Sequence, residues 1–594
     1  MNAIWLVIVA ALFLTLGYRF YGAFIAAKIL ALDDSRKTPA VVHNDNRDYV
    51  PTNKWILFGH HFAAIAGAGP LIGPTLAAQY GYLPGALWIL IGSLFAGAVH
   101  DMVILFASVR HDGLSISEIA KDELGPVAGF VSAIAVLFIL IITMAGLALA
   151  VVNALFNSPW GTFTVGITIP IAIFVGIYLR WLRIGRIGEA TVIGVALIFL
   201  GVILGPVVEH SFFAPYFTFS HQQLAVILAV YGFAAATLPV WLLLAPRDYL
   251  STYLKIGVIG ALAIGIIFIQ PHLRMPAITG FVNGGGPVIP GKVWPFLFIT
   301  IACGALSGFH AIIGTGTTPK MITLERDILP IGFGAMLVEG FVALMALIAA
   351  TSLHPADYFA INTAPDVFKK LGMTIQELPQ LSQLVGENVA GRAGGAVSLG
   401  VGMADIFRKI PILASISSYL YHFIIMFEAL FILTTIDAGT RVGRYLLQEL
   451  GGKVYKPLSR PNWWPGILLT SALMSFIWGY LVYHGDIATI WPLFGVANQL
   501  LAAMGLAVGT TLILRMGKAQ YVWTTIIPFV FVAVTTIAAG YQNIVIYYLP
   551  VGKNLLAFLT AVMMVLVTII LVLSIRKWFE LLHGNPTPKL DPQS

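Results

Sequence analysis

Apolar windows of roughly twenty residues, the length that crosses a bilayer as helix, constrain this chain more than any motif. Fifteen can be read, near 4–26, 55–80, 86–107, 126–156, 162–179, 189–208, 222–245, 256–271, 293–318, 330–352, 411–436, 464–484, 488–514, 521–540 and 553–575. Lipid offers no partner to backbone polar groups, so each window is expected to close its own hydrogen bonds as helix. Only 10% of the 594 residues are charged, against about 25% in an ordinary soluble chain, and the mean hydropathy is +0.90. The expected fold class is all-α: a polytopic membrane protein of about fifteen transmembrane helices. With the amino end outside, the inner loops hold 24 of the 33 Lys and Arg residues and the outer loops 8. The positive-inside rule then predicts an outer amino end and an inner carboxyl end.

The stretch Lys54 to Gln79 is long enough to span, yet it packs Gly67, Gly69, Pro70, Gly73 and Pro74 into its middle. Prolines remove amide donors and each glycine costs about 1 kcal/mol in a helix, so the span is predicted to unwind halfway. Unwound backbone at that depth is tolerated only where it is buried in protein or lines a cavity, and it marks substrate and ion sites in secondary transporters. Thr300 to Lys320 has a similar texture, with His310, Gly314, Gly316 and Pro319, as two copies of an old repeat would. Tyr231 to Arg247 carries Pro239 and Pro246 within one window. If the window beginning at Trp55 is helix one, that segment is helix six, the spacing of two five-helix inverted repeats that each begin with a broken helix.

The domain reading is an extra amino-terminal helix (1–30), a ten-helix transport core (54–436) with an outer segment (354–409), and a carboxyl-terminal module of five spans (437–594). The outer segment reads as short surface helices followed by a re-entrant or flexible glycine-rich run, and the tail after the last span as disordered. The single cysteine, Cys303, excludes an internal disulfide framework and a thiolate metal cluster. The first window lacks a basic n-region and is too long for a signal peptide. The formal charge of +7 fits loop topology, and no nucleic-acid partner is expected.

Four stretches resemble the carbon starvation protein A (CstA) family: His60 to Gln79, Ser307 to Lys320 (SGFHAIIGTGTTPK), Gly92 to Ala120, and Trp491 to Ala503 (WPLFGVANQLLAA). The resemblance covers nearly the whole chain. It implies a bacterial inner-membrane transporter of peptides or pyruvate used under nutrient limitation, and a LeuT-like five-plus-five core like that of the amino acid, polyamine and organocation superfamily.

An anionic substrate would be held by amides at a half-helix N-terminus. Gly67, Ala68, Gly69 and Gly73 are the candidate backbone, with His61 and His310 as side-chain donors to a carboxylate. Adjacent helix positions diverge by about 100°, so at most one of His60 and His61 faces the cavity. For ion coupling the candidates are His60, His100, Asp101, Ser307, Thr315, Thr317, Glu339 and Glu428. Intramembrane ionisable groups are functional hypotheses by default, and Ser307, Thr315, Thr317 and Thr318 lie beside glycine-opened backbone. Hydroxyls there suit Na⁺, a hard cation. Threonines in membranes also bond back to their own helix, and Asp101 could serve as a structural partner for Arg110. Asn498 and Gln499 read as interhelical glue outside the core.

These residues point to an ion-coupled importer, most simply a proton symporter, of a small carboxylate such as pyruvate or of short peptides, with sodium as the alternative ion. The helix-one break, the helix-six bend and helix eight (293–318) are expected to form the site. The chain lacks the HExxH, Gly-x-Ser-x-Gly and Walker patterns, so it reads as no enzyme, with no cofactor and no metal. Rival readings are a sensor or binding protein, a channel, or a metal-dependent intramembrane enzyme built on His60 or His61 with His100 and His310. Its expected partners are the substrate and the bilayer, with room for a homo-oligomer.

Overall fold

The computed structural model describes residues 1–45, 49–183, 186–239, 242–460 and 463–583, which form helices and connecting segments with two isolated β-bridges and no strand. In chain order the first helices are α1 (Ile4–Leu30), α2 (Lys54–Ile65), α3 (Gly69–Ala77), α4 (Tyr82–Arg110), α5 (Ile116–Leu124) and α6 (Pro126–Leu155). Next come α7 (Pro159–Leu182), α8 (Gly188–Glu209), α9 (His221–Thr237), α10 (Leu244–Ile269), α11 (Val293–Thr300), α12 (Phe309–Gly316) and α13 (Glu325–Ser352). The last six are α14 (Ala396–Phe407), α15 (Ser417–Gly452), α16 (Trp464–His484), α17 (Ile487–Arg515), α18 (Trp523–Val551) and α19 (Asn554–His583).

Each expected window holds helix, but not every one is a full-length span. Among the described residues eleven helices are long and apolar enough to cross a membrane, and α2 with α3 makes one further span bent by 46°. Three windows fall short. Helix α9 ends at Thr237 because Leu238 is extended (φ −67°, ψ 153°), the conformation a following proline imposes. The apolar part of α10 covers only Gly257–Ile269. The window 293–318 is interrupted between α11 and α12, which have eight residues each.

The two interrupted segments run antiparallel and cross at their breaks. At one end, the amides of Val50 and Thr52 donate to the carbonyls of Lys320 and Met321. At the other, Gln79 Nε2 donates to Ile289 O and Tyr80 Oη to Gly291 O. Between them the backbones touch so closely that two of the glycines have a stated cause. A Cβ on Gly69 would lie 2.4 Å from Cys303 Sγ, and one on Gly73 would lie 2.6 Å from Thr300 O. The segment expected as helix six is elsewhere; residues 240–241 lie outside the described residues, while Tyr231 and Arg247 reach Asp437 of α15.

The division at residue 437 falls inside α15. The later spans do not stand apart, because α17 is wholly buried and packs on α4, α6, α11, α18 and α19. The outer segment holds the short helices Pro355–Asn362, Pro365–Lys370 and Leu378–Val385. Its glycine-rich run is ordered: Gly391, Gly394 and Gly395 have φ of 73°, 128° and 83°, and the buried helix α14 follows. Gly395 presses on Ile72 and Leu76 of α3. The tail expected to be disordered lies beyond the described residues.

Candidate functional site

Both half-helices that begin at the crossing, α3 and α12, lack a capping side chain of their own, since their N-cap residues are Ala68 and Gly308. Free amides at a helix start need an acceptor. For α12 it comes from α17: Asn498 Oδ1 lies 2.8 Å from Phe309 N and 3.2 Å from Ser307 Oγ, and Asn498 Nδ2 is 3.3 Å from Cys303 Sγ. Asn498 fits because a Cβ on Gly308 would meet Asn498 O at 2.2 Å. For α3 no such group exists; the amides of Ala68 and Gly69 find no acceptor among the described residues, while Gly67 N donates locally to Ile65 O. Helix α3 therefore presents an uncapped positive end to an enclosed break, with Ala68 wholly buried.

Beside the crossing, His310 on the first turn of α12 bridges two carboxyl groups from different helices. Its Nδ1 lies 2.7 Å from Asp101 Oδ2 of α4, and its Nε2 lies 3.1 Å from Glu339 Oε2 of α13. The second contact is within ion-pair reach but not aligned as a hydrogen bond. The other oxygen of Asp101 meets His100 Nδ1 at 2.8 Å. All four side chains are at most 2% exposed, so water does not screen them. An imidazole accepts a proton at one nitrogen and releases one from the other. The line His100, Asp101, His310, Glu339 can therefore store a proton and pass it between α4 and α13 as helices move.

The remaining candidates are distributed as helix geometry dictates. His61 is buried and its Nδ1 is 2.8 Å from Thr318 Oγ1, tying α2 to the end of α12, whereas His60 lies on the exposed face of α2. Thr315 donates to Ala311 O on its own helix and accepts from Ile116 N, and Thr317 is exposed. Arg110 pairs with Glu325, not with Asp101. Glu428 is buried on α15, and neither of its oxygens has a partner. Gln499 donates to Phe298 O and accepts from Thr536. Among the described residues no group of three His, Cys, Asp or Glu side chains could hold a metal ion.

Asn498, read from the sequence as interhelical glue, does tie α17 to α12, but at the crossing rather than outside the core. Its signal was an amide side chain within an apolar helix, GVANQLLAA, without any indication of which helix it faces. Thr318 was visible in the hydroxyl run after α12, but its pairing with His61 was not.

The sequence profile described as Carbon starvation protein CstA matches residues 2–539. The peptide transporter CstA of Bacillus subtilis is 53% identical over 98% of this chain and 98% of its own length. The pyruvate/proton symporter BtsT of Escherichia coli is 46% identical over 90% of this chain and 81% of its own. A crystallised manganese transporter of Eremococcus coleocola aligns over 90% of this chain and 97% of its own at 13% identity, with a TM-score of 0.40, too distant to fix the helix layout.

Proposed function

Because the chain belongs to the CstA family of membrane transporters, we propose that it is a proton-coupled importer of a small carboxylate or short peptide. The carrying observation is the pairing of an uncapped half-helix start with a carboxyl–imidazole–carboxyl bridge at one helix crossing. The substrate carboxylate takes the place of the missing cap on α3, accepting hydrogen bonds from the amides of Ala68 and Gly69, a recognition common to pyruvate and to a peptide terminus. His310, with Asp101 and Glu339, holds the coupling proton. The antiparallel interrupted segments are in keeping with a five-plus-five inverted repeat, with the segment 293–318 rather than 231–247 supplying the second break. What favours protons over sodium is that Thr315 is turned to its own helix, Thr317 is exposed and Ser307 is engaged by Asn498.

Transport follows from a break that opens to one side at a time. In this conformation α3 packs on α11, α13 and α14, and Thr435 of α15 meets Gly67 at the break, so entry requires these helices to part from the broken span. On the orientation expected from the basic residues, the amino end is outside and the carboxyl end inside. The test is uptake of labelled pyruvate, and separately of di- and tripeptides, into proteoliposomes under an imposed proton or sodium gradient. Accumulation driven by protons and abolished in His310→Gln is the expected result. Accumulation driven by sodium alone moves the coupling away from His310, and no accumulation of either substrate class by folded protein overturns the importer reading.

A further inference from the structure

A second titratable position lies outside the His310 bridge. Among the described residues Glu428 has no hydrogen bond or ion pair, and it is 1% exposed. Its helix places it midway between two polar landmarks. Positions seven apart on a helix share a face to within about 20° and lie about 10.5 Å apart along the axis. Tyr421 is seven residues before Glu428 and Thr435 seven after. Thr435 reaches the unwound turn of the broken span, where a Cβ on Gly67 would lie 3.5 Å from its Oγ1. Tyr421 Oη donates to Glu387 Oε1 at 2.6 Å, and Glu387 pairs with Arg392.

Arg392 in turn lines a polar cavity of about 390 Å³ with Asn153, His221, His484 and Asp486, at the ends of α6, α9, α16 and the start of α17. On the orientation expected from the basic residues this is an outer mouth. Burial works against the charge on Glu387, yet the Arg392 guanidinium, His422 and the Tyr421 hydroxyl hold its carboxyl below the usual range, so it stays ionised in its pair. On α15 itself, Arg441 donates to the carbonyls of Ala235 and Leu238, and Arg444 lies over the Tyr445 ring. Asp405 of α14 pairs with Arg408, and Arg247 of α10 pairs with Asp437. Glu209 at the end of α8 lies near Glu387, while α6 and the short helix Leu378–Val385 bring no charged side chain. His422 is buried against the Trp160 ring at 3.8 Å.

We propose that Glu428 is a second proton-binding carboxyl of the transport cycle, loaded from the polar cavity along the Arg392, Glu387 and Tyr421 face of α15 and independent of the His310 bridge. A proton from water in the cavity adds to one carboxylate oxygen and gives a neutral acid, the form that an unpartnered buried carboxyl tolerates. Opening of this face on the other side returns that proton to water. Gly400 of α14, whose Cβ would sit 3.1 Å from the Tyr421 ring, closes the face in this conformation, so movement of α14 gates the path.

The inference rests on the transport reading for its role in the cycle, but not for proton binding itself. Purified protein titrated between about pH 5.5 and 8.5 is expected to bind one proton fewer in Glu428→Gln. In proteoliposomes the number of protons carried per pyruvate drops by one. Tyr421→Phe, which keeps the carboxyl, slows uptake severalfold at alkaline external pH and recovers at acidic external pH. Absence of proton-driven accumulation by wild-type protein counts against the transport reading, and the titration then decides the proton site alone. An unchanged proton count in folded Glu428→Gln, or a Tyr421→Phe defect equal at both pH values, overturns the proposal.

Discussion

Gly69→Ala puts the crossing of the two broken segments to a quantitative test. The added Cβ would stand 2.4 Å from Cys303 Sγ and 2.5 Å from Cys303 Cβ, against an ordinary carbon contact of about 3.5 Å or more. A new rotamer moves the sulfur but not the Cβ, so the segments must separate by about 1 Å. Overpacking of this kind costs about 1–3 kcal/mol, and alanine's better helix propensity returns about 1 kcal/mol at most. The expected net loss is about 1–2 kcal/mol. Cys303→Gly alone opens a small void at similar cost, but the double variant exchanges the two side chains and relieves the overlap. Its loss is then less than the sum of the single losses by at least about 1 kcal/mol, well beyond the roughly 0.5 kcal/mol expected of independent sites. Gly67→Ala is the control: its Cβ meets only Thr435 Oγ1 at 3.5 Å, and less than about 0.5 kcal/mol is expected. The assay is unfolding in mixed SDS–detergent micelles, with uptake measured in parallel. An additive double variant refutes the crossing. A double variant that regains stability but not uptake identifies Gly69 as a position the substrate must approach, rather than one needed only for packing.

Asn498→Ala removes the cap of α12 and leaves the buried Ser307 hydroxyl with only the weak sulfur contact to Cys303 at 3.5 Å; losses of about 1 kcal/mol and about 1–3 kcal/mol predict a destabilisation of about 2–4 kcal/mol, read by the same unfolding assay, and a loss under 1 kcal/mol refutes the capping role. Asp437→Asn leaves Arg247 buried with only the neutral hydroxyls of Tyr231 and Thr168 as side-chain hydrogen-bond partners among the described residues, and a loss of about 3–5 kcal/mol is expected, with a near-neutral result excluding a buried pair. A pH effect is expected at the contact of α5 with α4 and α17, where His111 Nε2 and Arg515 Nη1 lie 2.9 Å and 2.8 Å from Glu123 Oε1. Burial pulls His111 down, but Glu123 and the Ala107 carbonyl raise it above its ordinary 6.5; burial pushes Glu123 up, but His111 and Arg515 hold it below its ordinary 4.5. A raised base stabilises fully below 6.5 and loses that contribution as pH rises through its folded value, while a lowered acid stabilises above 4.5 and loses it as pH falls through its own. The stability advantage of wild type over Glu123→Gln should therefore be greatest between about pH 4.5 and 6.5 and shrink at alkaline pH, and a constant difference across thermal melts from pH 4 to 9 contradicts the assignment.

The breaks were legible because their cause is local. In the first segment Gly67, Gly69 and Pro70 stand together at the break at 66–68, although Gly73 and Pro74 lie within the helix that resumes at Gly69. In the second the break falls at 301–308, ahead of Gly314, Gly316 and Pro319. His310 was legible for a similar reason, as an ionisable residue beside such a break. The partners were not, because helix pairing in lipid is set by close packing of small residues rather than by a pattern along the chain. Asn498 lies 189 residues from the amide it caps, and its apolar neighbours give no sign of which helix it faces. The prolines of Tyr231 to Arg247 did mark an interruption, between α9 and α10, but the described parts of that segment meet Asp437 of α15 rather than the crossing. Hydroxyls near a break were likewise ambiguous until rotamers were known, since Thr315 returns to Ala311 O while Ser307 turns to Asn498.

A single crossing can couple two ligands because its parts are in contact. Gly69 abuts Cys303, Cys303 Sγ is 3.5 Å from Ser307 Oγ, and His310 begins the next helix turn with its amide 3.3 Å from Ser307 O. On the transport reading proposed above, a carboxylate at the start of α3 and a proton on the His310 bridge would attract each other across this short path. For unit charges about 10 Å apart at an effective dielectric constant of about 20, the attraction is about 1.7 kcal/mol, a nearly twentyfold mutual increase in affinity. Such a coupling is reciprocal: substrate must tighten proton binding by the factor by which protons tighten substrate. Measured on the purified protein, substrate affinity should therefore fall nearly twentyfold between acidic and alkaline pH in wild type and stay level in His310→Gln. An equal pH dependence in both would separate the anion site from the bridge, and the crossing would then be a hinge rather than the place where the two gradients meet.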